Sequence, residues 1–188
     1  AQLSGVEISR LILPLGDLMK EDVRRIANEA RLPQAKRKDS QGICFLGKIN
    51  YNDFLRKFLG EQEGKVIDIE TNRIVGTHKG FWFHTIGQRK GLGIALGEPM
   101  YVKSKNATDN TVTLCKNESL FTTQLDADRI NLIAVEKLDA PIRAKVKIRY
   151  AHQPADATVT QTGADTLHVA FDAPQRAIAP GQSVVIYD

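Results

Sequence analysis

The chain has 188 residues, of which 42% are hydrophobic and 26% charged, and its formal net charge is +4. That length allows one domain or two small ones with real cores, and no apolar run approaches the roughly 18 residues of a membrane-spanning helix. The composition is typical of a soluble globular protein. The mild positive charge favours an anionic partner such as RNA.

Neither end of the chain nor its cysteines indicate secretion. The N-terminus lacks an initiator Met and a basic-then-apolar signal pattern, and we interpret it as a cut end. The two cysteines, Cys44 and Cys115, form no disulfide framework or zinc pattern, and the four histidines lack ligand spacing. We therefore predict no metal site and a reducing compartment.

The first sixty residues predict two helices joined by irregular chain. An apolar face at helical spacing predicts a helix over about 19–31, which Pro33 ends. Residues 34–48 have no period and predict a loop. A second helix is expected between an N-cap at Asn50 and Gly60. Its buried side is expected to consist of Phe54, Leu55 and Phe58.

From Lys65 onward the apolar period changes to two, which predicts strands. KVIDI with RIVGT and MYVKSK with TVTLCK predict two hairpins. DRINLIAV, IRAKVKIRY, ATVTQT, LHVAF and SVVIY follow at short spacing, separated by turns rich in Gly, Pro and Asp. Such regular short strands indicate a small closed barrel, so we predict a mixed α/β part followed by an all-β part.

Three stretches could carry chemistry, and the first is KDSQGICFLG around Cys44. A free cysteine is often a buried core thiol. Cys44, however, lies in the predicted loop and follows a basic cluster that includes Lys36 and Lys38. Nearby positive charge enriches the reactive thiolate, so a catalytic Cys44 is the competing interpretation. Cys115 lies in an alternating strand and is predicted to be structural.

The other two stretches are basic. HTIGQRKGLGI contains Gln88, Arg89 and Lys90 between glycines, so it is either an anion-binding loop or a plain connection between strands. In IRAKVKIRY, four cations alternate with apolar residues and would share one face of a strand. That face is either a phosphate-binding stripe or ordinary solvated surface. Its members are Arg143, Lys145, Lys147 and Arg149.

Six stretches, in order, resemble the tRNA-specific 2-thiouridylase family over essentially the whole chain: PLGDLMKEDVRRIANEA, KDSQGICFLG, NYNDFL, HKGFWFHTIGQRKGLGI, EPMYV and PGQSVVIYD. These enzymes replace the C2 oxygen of the wobble uridine of tRNA with sulfur. The resemblance implies a mixed α/β central domain over 15–120 that carries the Cys44 loop. It also implies a barrel over 121–188, similar to those of translation factors, with its last strand truncated. Residues 1–14 would be a remnant of the junction with an N-terminal nucleotide-binding domain.

The family's nucleotide-binding domain carries an S-G-G-x-D-S phosphate loop, a catalytic Asp and a first, nucleophilic Cys. None of these motifs occurs in this sequence. The resemblance therefore implies a fragment that is inactive alone and needs no cofactor, while the full-length enzyme uses ATP as a substrate. Its partners would be tRNA, a persulfide sulfur donor protein and the N-terminal domain, in the cytoplasm or an organelle matrix.

The resemblance also assigns roles to single residues. Cys44 matches the family's persulfide-bearing cysteine, which works with a second thiol by exchange. Arg149, Tyr150 and Gln182 match the family's tRNA contacts, and a strand end is expected to free the Tyr150 ring. Further RNA or interdomain contacts are expected from Lys36, Lys38, Gln88, Arg89, Lys90, Lys145 and Lys147. The sequence departs from the family at Ala151, where a basic residue is common, and at Met19, where a capping Thr or Ser is common.

Three functional hypotheses remain open at this point. The chain is part of a sulfur-transfer enzyme, a stand-alone RNA-binding barrel module, or a structural fragment whose basic faces are only solvated. An S-G-G-x-D-S motif encoded upstream would distinguish the first from the second. Salt-dependent binding of tRNA would distinguish both from the third.

Overall fold

The computed structural model describes residues 3–37, 50–94 and 96–187. Contacts divide the chain into two compact units, a smaller one over Leu3–Tyr51 and a larger one built mainly from Asn52–Asp188. In the described ranges, no helix is long and apolar enough to cross a membrane. The predicted loop around Cys44 lies outside the described residues.

The smaller unit contains two helices, α1 (Gly5–Ile8) and α2 (Lys20–Glu29). Ser4 and Glu7 form a capping box at α1, because each side chain bonds the backbone N–H of the other residue. Helix α2 confirms the predicted helix. Met19 occupies its N-cap and provides no side-chain bond to the first turn, as expected for a residue without a hydroxyl.

Helix α3 (Tyr51–Leu59) confirms the second predicted helix. Gly60 follows it with φ 70°, and the Gly60 N–H donates to the Arg56 carbonyl at 2.9 Å. The predicted buried side is wrong at Phe58, which is 66% exposed. Its ring contacts Phe54 on the preceding turn, with 4.6 Å between centroids, and the described residues leave it largely uncovered.

The first sheet has four strands in the order β2-β1-β4-β3. They are β1 (Gly64–Asp68), β2 (Arg73–His78), β3 (Tyr101–Asn106) and β4 (Thr111–Cys115). The antiparallel pairs β1–β2 and β3–β4 confirm the two predicted hairpins. Strands β1 and β4 pair in parallel, which joins the hairpins into one sheet. The core of this sheet consists of Val66, Met100, Val102, Val112 and Leu114.

The second sheet is antiparallel and has the order β5-β8-β7-β6-β9. Its strands are β5 (Phe121–Asp128), β6 (Ile142–Lys147), β7 (Ala155–Gly163), β8 (Thr166–Arg176) and β9 (Val185–Tyr187). A core of alternating apolar residues, including Val146, Val159 and Val169, packs on one face. This arrangement confirms the mixed α/β part followed by an all-β part.

The predicted strand DRINLIAV is wrong. Strand β5 ends at Asp128, and Arg129 turns away with φ 55°. Beyond it, side chains of the β7–β8 hairpin satisfy the backbone: Ile130 N–H donates to Asp165 Oδ1 at 2.8 Å, and Leu138 N–H donates to Gln161 Oε1 at 2.9 Å. These side-chain acceptors replace the ladder that a strand would need.

The first sheet also buries two histidines that sequence spacing did not connect. The rings of His78 and His84 lie 5.4 Å apart, edge to face. Lys105 Nζ donates to the His84 carbonyl at 2.8 Å. Burial lowers the pKa of both imidazoles, and the charges of His78 and Lys105 lower the pKa of His84 further. In the part of the chain that the structure describes, no group of three or more potential metal ligands forms.

Replacing Leu114 with Ala should destabilise the larger unit by about 2–5 kcal/mol, because it leaves a cavity at a side chain that is 0% exposed. The matched change Leu59→Ala removes the same atoms from a residue 54% exposed and should cost under about 0.5 kcal/mol. Urea denaturation of both variants measures the difference. Equal losses would contradict this assignment of the core.

Acid should destabilise the fold through the buried histidine pair. Their lowered pKa values mean that the folded state binds fewer protons than the unfolded state below about pH 6.5. Stability should therefore be complete above that pH and fall as the pH drops below it. Thermal unfolding between pH 7.5 and 5 should show this fall, reduced in His84→Gln and retained in the control His168→Gln, which replaces a half-buried histidine of the second sheet that bonds Asp126. An unchanged fall in His84→Gln would exclude the pair as its source.

Candidate nucleic-acid interface

The end of β6 presents an aromatic ring beside a cation. The strand stops at Lys147, Ile148 turns inward, and Tyr150 stands 98% exposed. Lys147 Nζ lies 5.7 Å from the centroid of the Tyr150 ring, within cation–π range. The expected strand end that frees this ring is confirmed. An exposed ring next to an ammonium group can stack on a base while the cation contacts phosphate.

The Arg149 side chain, unlike the exposed Tyr150 ring, is turned towards the protein. It is half-buried, and its Nη2 donates to the carbonyl of Ala177, while its Nε is buried and has no hydrogen-bond partner. A guanidinium has five N–H groups, so this one contact leaves donors unused. Arg149 thus combines an internal contact with spare donor capacity.

The two earlier cations of the stripe are neutralised by carboxylates on neighbouring strands. Arg143 binds Asp172 through two bonds of 2.8 and 2.5 Å, and Lys145 binds Asp156 at 2.9 Å. The Arg143 guanidinium lowers the pKa of the Asp172 carboxyl by hydrogen bonding. The strand therefore presents fewer free charges than its sequence alternation indicates.

Gln182 reaches the same end of the barrel. It is exposed in the turn before β9, next to Gly181 with φ 81°. Strand β9 pairs antiparallel with β6, and this pairing ends with Lys147 opposite Val185. The segment that carries Gln182 therefore leaves the sheet at the end where Tyr150 is exposed.

The loop over 84–94 is held by the side chain of Gln88. Its Oε1 accepts from the Thr85 N–H at 2.9 Å, and its Nε2 donates to the Lys90 carbonyl at 2.9 Å. The backbone of the loop also pairs with β3: Gly87 N–H donates to the Val102 carbonyl at 2.8 Å, and Val102 N–H donates to the Gln88 carbonyl at 3.0 Å. Gln88 is thus occupied inside the loop, whereas Arg89 and Lys90 are exposed.

Arg89 also borders an open cavity of about 430 Å³. The rest of its described lining consists of Leu92, Ile94, Leu96, Gly97, Glu98, Pro99 and Met100. Glu98 is engaged by Lys116 at 3.2 Å. Apart from this ion-paired carboxylate, the described lining offers no nucleophile or general base, so nothing in it identifies a catalytic pocket.

One further predicted site residue is described in the smaller unit. Lys36 is exposed in the turn after α2, while Cys44 and Lys38 fall outside the described residues.

Cys115 is 0% exposed at the end of β4, which confirms the prediction of a buried strand position. Burial raises the pKa of the Cys115 thiol and disfavours the thiolate.

Three family models match the chain in succession. They are described as the tRNA methyl transferase HUP domain, over residues 1–48, the tRNA methyl transferase PRC-barrel domain, over 52–116, and the aminomethyltransferase β-barrel domain, over 122–188. Cys44 lies within the first match. The two sheets of the larger unit fall within the second and third.

Two of the curated relatives align with the whole chain or nearly all of it, and a third aligns with part of it. It is 43% identical to tRNA-specific 2-thiouridylase MnmA 1 of Bacteroides thetaiotaomicron, over 100% of this chain and 54% of that protein. It is 43% identical to MnmA of Clostridioides difficile, over 99% of this chain and 52% of that protein. MnmA 2 of Bacteroides fragilis is 61% identical over 112 residues, which are 60% of this chain and 31% of that protein. The chain spans about half the length of the first two relatives, and it belongs to the tRNA-specific 2-thiouridylase family.

Proposed function

We propose that this chain is part of an enzyme that thiolates C2 of the wobble uridine of tRNA. In this proposal it supplies the persulfide-bearing Cys44 and a surface that binds tRNA. The relatives that match its whole length are named tRNA-specific 2-thiouridylases. The observation that carries the binding role is the fully exposed Tyr150 ring beside Lys147.

The proposed chemistry needs ATP and two thiols. ATP adenylates the C2 oxygen of uracil, which then leaves with AMP as sulfur takes its place. The sulfur comes from a persulfide on Cys44 that a donor protein has loaded, and a second cysteine closes a disulfide with Cys44 as the outer sulfur departs. An external thiol must then reduce that disulfide, which fits a reducing compartment such as the cytoplasm.

The properties of Cys115 support Cys44 as the reactive cysteine of this chain. Cys115 is buried and the pKa of its thiol is raised, so it cannot easily attack or carry sulfur. The second thiol of the relay and the ATP site would then come from the N-terminal domain of the complete enzyme. The alternative, a non-catalytic RNA-binding barrel module, shares the tRNA surface and lacks only this relay.

The proposed tRNA surface combines stacking with charge. Tyr150 would stack on a base or ribose, Lys147 and the spare donors of Arg149 would contact phosphate, and the Gln182 amide would add a hydrogen bond. Lys145 is a weaker candidate because Asp156 already neutralises its charge.

Thiol labelling of the native chain should modify Cys44 faster than Cys115. The expectation rests on the burial and raised pKa of the Cys115 thiol. Alkylation followed by peptide mass spectrometry measures both rates, with Cys115→Ser as a control that should leave the fast phase intact. Faster modification of Cys115 would count against the assignment of Cys44.

In the complete enzyme that carries this chain, Cys44→Ser should abolish thiolation of tRNA and leave tRNA binding intact. The matched change Cys115→Ser should retain thiolation. Mass spectrometry of the tRNA nucleosides measures the 2-thiouridine formed. This measurement distinguishes the sulfur-transfer enzyme from the RNA-binding module. Retained thiolation in Cys44→Ser would overturn the relay, and tRNA binding measured in parallel would show whether the module remains.

Tyr150→Ala and Arg149→Ala should weaken tRNA binding in different ways. Loss of the ring should lower affinity with little change in the salt dependence, because stacking releases no counterions. Loss of Arg149 should lower the slope of log affinity against log salt by about 0.7–0.9, one phosphate contact. Titrations at several salt concentrations measure both, and the exposed Tyr51→Ala is the control. Unchanged affinity in both variants would leave this face as solvated surface only.

A further inference from the structure

The two sheets of the larger unit meet at a seam, which we define as Gly87, Tyr101, Leu120, Arg176 and Ala177. The Ala177 N–H donates to the Leu120 carbonyl at 2.8 Å, and both residues are buried together with Cys115. Gly87 has φ 83°, and a Cβ on it would lie 2.9 Å from the Cβ of Ala177. Only glycine therefore allows the 84–94 loop to approach the barrel this closely.

Arg176 lies at this seam without a carboxylate partner in the described part of the chain. Its Cζ stands 5.0 Å from the centroid of the Tyr101 ring, and its Nε donates to Asn117 Oδ1 at 3.0 Å. Its Nη1 comes within 3.6 Å of a Cβ placed on Gly87. Stacking and one neutral hydrogen bond thus fix the guanidinium while its charge stays uncompensated.

Arg89 and Lys90 lie two and three positions beyond Gly87, in the loop that Gln88 holds by bonds of 2.9 Å on both sides. Both cations are exposed, and neither forms an ion pair among residues 3–37, 50–94 and 96–187. The loop therefore carries two cations without an ion pair among the described residues, and its Gly87 lies next to the Arg176 side chain. We name Arg89, Lys90 and Arg176 the seam cations.

Four other cations of the barrel are paired with carboxylates. Carboxylates pair with Arg129 at 3.6 Å, Lys137 at 2.7 Å, Arg143 at 2.5 Å and Lys145 at 2.9 Å. A cation that already faces a carboxylate adds little net field, whereas an unpaired one displaces the counterions of a nucleic acid. The barrel cations without a carboxylate partner among the described residues are thus Arg176 at the seam and Lys147 and Arg149 at the end of β6. Arg149 connects the two places through its bond to Ala177.

We propose that the seam cations bind the phosphate backbone of tRNA, as a second contact beyond the Tyr150 end of β6. The proposal rests on the proposed function, since it takes tRNA as the ligand. RNA suits this surface better than an acidic protein does, because protein interfaces need buried apolar anchors. Within the described residues, the large apolar side chain exposed beside Arg176 is Phe121, an aromatic ring on which a base can stack.

The double variant Arg89→Ala/Lys90→Ala of this chain tests the proposal, because neither side chain forms an ion pair among the described residues. The slope of log affinity for tRNA against log salt should fall by about 1.4–1.8, the value for two phosphate contacts. The control Arg129→Ala/Lys137→Ala removes the same formal charge from carboxylate-paired positions. Its slope should change by less than half as much.

The possible outcomes distinguish failure of the seam contact from failure of the proposed tRNA surface. If the unsubstituted chain binds tRNA and the Arg89/Lys90 variant keeps its slope, the seam contact is wrong and the loop is free to face an acidic protein. An equal fall in both double variants would also overturn it, since net charge alone would then explain the effect. Absence of tRNA binding by the unsubstituted chain would also overturn the proposed tRNA surface around Tyr150, while the sulfur relay is tested separately by Cys44→Ser.

Discussion

The hydrogen bond from the Ala177 N–H to the Leu120 carbonyl is the constraint on which the larger unit depends. It ties the end of β8, the longest barrel strand, to the 3-10 turn that follows β4. Ala177 adopts φ 53° there, so the chain turns sharply and its carbonyl becomes the acceptor for Arg149. The end of β6 and the 84–94 loop are both positioned by this turn. The two sheets, which have separate cores, therefore meet at this seam.

Charge pairing leaves free positive charge on only part of the barrel surface. On the barrel strands, Asp156 and Asp172 neutralise cations that alternate along β6. Exposed ion pairs of this kind contribute little to stability, but they remove free charge from the face that they occupy. The barrel cations that lack a carboxylate partner among the described residues lie where the sheets meet and where β6 ends. The barrel therefore presents free positive charge to a polyanion mainly at these two places.

Local patterns in the sequence predicted what local physics determines. Period-two alternation identified both hairpins and most barrel strands, and the residues before Pro33 predicted α2. The predictions that failed depend on distant partners. The residues after Asp128 bond to Asp165 and Gln161 instead of forming a strand, and Phe58 is left exposed by the described residues. The free charge of β6 could not be read from IRAKVKIRY alone, because its carboxylates come from other strands. The sequence did not identify Arg176 as a site residue for the same reason, because its contacts Tyr101 and Asn117 lie far from it in sequence.

Hydroxyl-radical footprinting with and without saturating tRNA directly tests whether the seam and the end of β6 form the tRNA surface. The method reads the solvent exposure of aromatic rings by peptide mass spectrometry, and the unit contains its own reference in Phe58, exposed on α3. The account predicts that tRNA protects Tyr150 at the end of β6 and Phe121 beside the seam, while Phe58 keeps its reactivity. Unchanged oxidation of Tyr150 and Phe121 at saturating tRNA would contradict it.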